Sequence, residues 1–187
     1  MSSEIHQSAL VSEESLDRFL DAFFHHTLPK PQWTHAAHVT LAACLLHRDD
    51  VPSVLPIVRN AIRSYNVSVG TENTDTSGYH ETLTVFWLRV VAQSLRQVPS
   101  ASRLQAVRGV VATYGAERAL HRLYYSIDIV TCTAARLAWV EPDVKPLPSS
   151  TSEAKACCGA SFKLNVGIAL IWARRNGVFS WQTQSMT

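Results

Sequence analysis

The stretch Tyr79-His80-Glu81-Thr82-Leu83-Thr84-Val85-Phe86-Trp87-Leu88-Arg89-Val90-Val91-Ala92-Gln93-Ser94-Leu95-Arg96-Gln97 decides the fold. Leu83, Phe86, Trp87, Val90, Val91 and Leu95 recur at steps of three and four, which is one face of a helix, and Pro99 closes the run. Outward from it the same period continues. Ser12 reads as the N-cap of a helix over 13–27 with Leu16, Phe19, Leu20, Phe23 and Phe24 on one face, ended by Pro29 and Pro31. Thr34 reads as the cap of a helix over 35–47, and a third covers 53–66. Residues 68–78 form a polar loop. Further helices are expected over 101–114, stopped by Gly115, over 116–126, and over 131–140. No segment alternates with a period of two between hairpin turns, so the fold class is all-α, a single-domain bundle-like fold of about six to seven helices.

The core domain is placed at 10–148. Ser149-Ser150-Thr151-Ser152 reads as a linker, and 149–187 as linker plus a C-terminal appendage with a short helix over 163–175. The 187 residues are 47% apolar and only 17% charged, a balance that favours burial over disorder. Seventeen Lys and Arg against fifteen Asp and Glu leave +2, with no basic stripe, so a nucleic-acid partner is not expected. No apolar run approaches the roughly 18 residues of a membrane span. Glu4, His6, Glu13 and Glu14 near the start are unlike a secretory leader. Cys44, Cys132, Cys157 and Cys158 show no disulfide framework, so the reading is a cytoplasmic protein with reduced thiols, and Asn66-Val67-Ser68 a chance sequon.

Eight histidines direct attention to chemistry. His35 and His38 lie one turn apart in line with Leu41, Ala42 and Leu45, the apolar stripe of their helix. His80 stands at the start of the row through Leu83 and Trp87. Three imidazoles in first turns, on inward stripes, can converge at one end of a bundle and hold a divalent metal, zinc or iron foremost. Glu81 is then a fourth ligand, an outer partner that fixes a histidine tautomer, or the general-base candidate, and Tyr79 and Trp33 flank the site. Glu117 and His121, four apart, are a secondary pair, with His121 off the Leu120/Leu123 row.

Each feature also has a structural explanation. With Thr34 as cap, Trp33 and His38 occupy the two positions of a hydrophobic staple. With Gly78 as cap, Glu81 falls at the position of a capping-box glutamate. His25, His26 and His47 sit at helix ends, where they complement the dipole. Cys44 reads as a small buried hydrophobe, and no nucleotide-binding or HExxH motif occurs. Two functions follow from these alternatives. One is a small-molecule metalloenzyme, its reaction open among hydrolysis, hydration or dehydration, isomerisation and oxygen chemistry. The other is a non-catalytic helical module that binds a ligand or a protein, its histidines structural.

Trp33-Thr34-His35-Ala36-Ala37-His38, Ser77-Gly78-Tyr79-His80-Glu81-Thr82 with Phe86-Trp87, and Trp139-Val140-Glu141-Pro142-Asp143 resemble a family of small uncharacterised bacterial and fungal proteins carrying W-T-H-x-x-H and G-Y-H-E-T motifs. The resemblance covers about residues 15–147 and implies a shared site rather than a named reaction. Ile127-Asp128-Ile129 departs from its pattern, and 149–187 falls outside it.

Overall fold

The Tyr79–Gln97 stretch forms the helix around which the others are arranged. In the computed structural model, which describes residues 10–97 and 102–147, the chain builds α1 (Glu13–Phe24), α2 (His35–Leu46), α3 (Val51–Ser68), α4 (Glu81–Gln97), α5 (Arg103–Tyr114) and α6 (Thr133–Leu137). Two 3₁₀ turns, Lys30–Gln32 and Leu120–Leu123, join them, and the described residues contain no strand. The fold is all-α and bundle-like, as its period predicts. The chain divides between Ser152 and Glu153, and every described residue lies before that point; the expected linker, appendage and 163–175 helix lie outside the described residues. Among the described residues no helix is long and apolar enough to cross a membrane.

The caps sit where small polar residues precede apolar runs. Ser12, Thr34, Asp50 and Ser102 each accept a backbone N–H from the third residue on, satisfying a donor the helix cannot. α1 stops at Phe24, three residues early, because His26 takes φ +60. α3 runs longer than expected at both ends, beginning at Val51 with Asp50 as its cap.

α2 and α4 are the inner helices. α2 packs chiefly on α4 and α5, and α4 also meets α3 and α6. One core cluster gathers Leu16 and Phe23 of α1, Val39 and Leu41 of α2, Val54 and Tyr65 of α3 and Leu88 of α4. A second joins Phe86 and Val90 of α4 to Tyr124, Tyr125, Ile129 and Ala135. Because α4 serves both clusters, its buried set includes Val85, Leu88 and Ala92 beyond the predicted stripe, while Leu83 and Trp87 of that stripe are only partly buried.

Two predicted helices differ. Within 116–126 only Leu120–Leu123 is helical, as a 3₁₀ turn with its own period of three. That period places His121 and Tyr124 on the inner face, so His121 is 5% exposed while Leu123 is 62% exposed. The expected 131–140 helix is cut to Thr133–Leu137. Thr82 on α4 donates its hydroxyl to the Ala138 carbonyl (2.7 Å) and accepts the Val140 N–H (3.1 Å), drawing Ala138 into extended backbone.

Candidate functional site

A cavity of about 1040 Å³ opens between the N-terminal end of α2, α3, the first turns of α4 and the segments 118–122 and 128–130. Its walls carry Trp33, Trp87, Leu41, Ile62 and Leu83, with His35, His38, His80 and His121 among them. The three histidines singled out by sequence are thus brought to one cavity, and His121 joins them.

What each ring does there follows from its contacts. The Nε2–H of His35 donates to the Tyr114 carbonyl (3.1 Å), one of the last-turn carbonyls of α5 that lack a helical partner, and its ring meets Trp87 edge-on at 4.5 Å. The Nδ1–H of His38 donates to the Thr34 carbonyl (2.7 Å), and its ring lies against Trp33 at 3.9 Å. Trp33 in turn stacks on Phe23 at 4.4 Å. This is the staple geometry with an imidazole in the apolar position.

His80 is buried and committed at both nitrogens. Its Nε2–H donates to the Ile129 carbonyl (2.9 Å), and its Nδ1 accepts the Leu83 N–H (3.3 Å) while its own carbonyl accepts the Thr84 N–H. His80, not Gly78, therefore caps α4, and Glu81 is the first helical residue rather than the capping-box position. Burial holds the imidazoles of His35, His80 and His121 below their ordinary pKa, against the opposing hydrogen bonds of the first two to the Tyr114 and Ile129 carbonyls.

Glu81 and Tyr79 form a closed set with Arg59 of α3. Arg59 donates to both carboxylate oxygens (2.5 and 3.0 Å), and the Tyr79 hydroxyl donates to Oε2 (2.9 Å). Burial opposes ionisation of Glu81, but these donors outweigh it and keep the carboxyl below its usual range. The Tyr79 hydroxyl is pushed up to about 12, first by burial. A carboxylate so held is a poor proton acceptor, and Glu81 is not among the cavity walls. The second motif is occupied in structure throughout. Gly78 takes φ +73, Arg136 donates to the Gly78 and Tyr79 carbonyls, and Thr82 anchors the segment after α6.

The expected zinc or iron on His35, His38 and His80 does not fit these residues as they stand. Among the described residues no three His, Cys, Asp or Glu side chains are grouped to hold a metal ion, and His80 has no lone pair left to give. Cys44 is buried, its thiol pushed up to about 12 by burial, and Cys132 is half-buried; the Cys157-Cys158 pair lies outside the described residues.

The sequence marks His121 only as part of a secondary pair and gives no sign of the cations Lys30, Arg118 and Arg122. His121 is buried with neither ring nitrogen hydrogen-bonded, and Lys30, Arg118 and Arg122 stand exposed at the cavity. Among the described residues the guanidinium groups of Arg118 and Arg122 have no ion-pair or hydrogen-bond partner, although neighbouring Arg103 and Arg108 do. The four-residue spacing of Arg118 and Arg122 is no such sign, because a helix there would set it on a solvated face. Compared with known proteins, the chain matches no family model, no curated protein and no solved structure, so its motif resemblance carries no family assignment.

Proposed function

We propose that the protein is a ligand-binding module that takes a small organic anion with an apolar body into the cavity between α2, α3 and α4. One observation carries the reading: apolar and aromatic walls end in three cations, Lys30, Arg118 and Arg122, against the single acidic side chain of Asp128. The indoles of Trp33 and Trp87 offer flat apolar surface, and the two unpaired guanidinium groups are suited to an oxyanion. The histidines His35, His38 and His80 serve on this reading as wall and cap residues, each with at least one ring nitrogen hydrogen-bonded within the protein.

The test uses three matched probes: 4-phenylbutyrate, 4-phenylbutanol and 4-phenylbutylamine. The indole N–H signals of Trp33 and Trp87 are followed by NMR during each titration. The carboxylate should give saturable shifts and bind more tightly than the amine. An Arg118→Ala/Arg122→Ala variant should weaken the carboxylate about tenfold or more while leaving the alcohol unchanged. Absence of saturable shifts with all three probes would overturn the reading.

A further inference from the structure

We propose that His121 is the inner contact for the acid group of that ligand, and that the protein takes up one proton at this ring as the anion enters. The inference rests on the reading just given and assigns the ligand class more narrowly, as an organic acid bound together with a proton. His121 is 5% exposed, forms part of the cavity wall, and among the described residues leaves both ring nitrogens without a hydrogen-bond partner. Every other histidine on the cavity has at least one ring nitrogen hydrogen-bonded. A buried imidazole that no protein group bonds is satisfied once a ligand supplies the partner.

The surroundings set the direction of the charge change. Phe86 of α4 meets the ring edge-on at 6.4 Å and offers no polar atom. His35 from α2 and His80 at the start of α4 feel the charge of His121, and both are bonded to carbonyls. Arg122 on the same turn disfavours a second positive charge, while Asp128 and the Arg118 carbonyl, near the ring but outside hydrogen-bonding geometry, favour it. With burial, the largest influence, added, the neutral ring is favoured near neutral pH. A carboxylate arriving beside it reverses this balance: the neutral ring binds a proton from solvent, and the new N–H donates to the carboxylate oxygen. The nitrogens lie beneath the wall surface, so the ring turns about χ2, a broad torsion in histidine, to present that N–H. Arg118 and Arg122 supply the outer countercharge.

The experiment follows the histidine ring signals of the full chain by NMR, with and without 4-phenylbutyrate, across about pH 6 to 9, a window in which an imidazole beside an anion titrates. The expected result is a His121 titration moved upward by the carboxylate and unmoved by 4-phenylbutanol. Affinity for the carboxylate should fall with rising pH, by up to about tenfold per unit where protonation is coupled to binding. His121→Phe and His121→Gln should bind the carboxylate more weakly and without that slope. If the carboxylate binds but the His121 titration stays put, or if both variants keep the wild-type pH profile, this inference falls while the anion-binding reading survives. If no probe binds, both fall.

Discussion

His80 shows how much a single side chain holds here. Its ring joins the start of α4 to the Ile129 carbonyl and also satisfies the Leu83 N–H. His80→Ala removes the cap and the bond to Ile129, whose carbonyl keeps only the Cys132 N–H (3.3 Å), so stability should drop by about 1–3 kcal/mol. His80→Asn keeps an oxygen that can cap the helix but cannot reach Ile129 in the same way, and should recover only the cap, about 1 kcal/mol. Urea unfolding of the three proteins checks the order. Equal stability of His80→Ala and wild type would show that the ring's hydrogen bonds contribute nothing. Glu81 makes a related point, since both oxygens of its carboxylate accept hydrogen bonds from Arg59 and Tyr79. A polar residue in an inner turn is best understood by asking which partner it satisfies before asking what it catalyses.

At the level of elements, two glycines should respond oppositely to alanine. Gly78 has φ +73, and a Cβ there would strike the Glu72 carbonyl and the Asn73 side chain. Gly78→Ala should cost about 1–3 kcal/mol and loosen the Tyr79–Glu81–Arg59 set. Gly109 is exposed within α5 with nothing near its missing Cβ, and Gly109→Ala should add about 0.5–1 kcal/mol through helix propensity. Thermal unfolding separates the two; a Gly109→Ala protein that melts lower would contradict the account. The helices most legible in the sequence are those with a Ser, Thr or Asp cap and a local stop, such as α1, α2 and α5. The 116–126 and 131–140 readings failed where non-local bonds decide the backbone. Thr82 draws Ala138 out of helix, and a 3₁₀ turn swaps the faces of His121 and Leu123. The convergence of His35, His38 and His80 on one cavity was readable from their inward stripes. Their hydrogen bonds to Tyr114 and Ile129 were not, because those partners lie 79 and 49 residues away.

For the whole molecule, buried titratable groups shape stability against pH. His35, His80 and His121 are each held below the ordinary imidazole pKa, first by burial. Below about pH 6.5 the unfolded chain therefore binds protons that the folded chain refuses, and stability falls as pH falls. Glu81, also held low despite its burial, adds a further loss in the acid range where its pairing with Arg59 is protonated away. On the alkaline side the sign reverses. The Cys44 thiol and the Tyr79 and Tyr125 hydroxyls are each pushed up to about 12, first by burial. Above about pH 8.5 the unfolded chain releases protons that the folded chain keeps, and stability falls as pH rises. The urea midpoint should form a plateau between about pH 6.5 and 8.5 and decline on both sides. His121→Phe should shallow the acid arm, because one of three refused protons is gone, and leave the alkaline arm where it was. A midpoint that holds steady or rises from about pH 7 to 5 would mean that the three imidazoles are as free to charge in the folded protein as in the unfolded one, and the neutral ring on which proton-coupled binding depends would go with it.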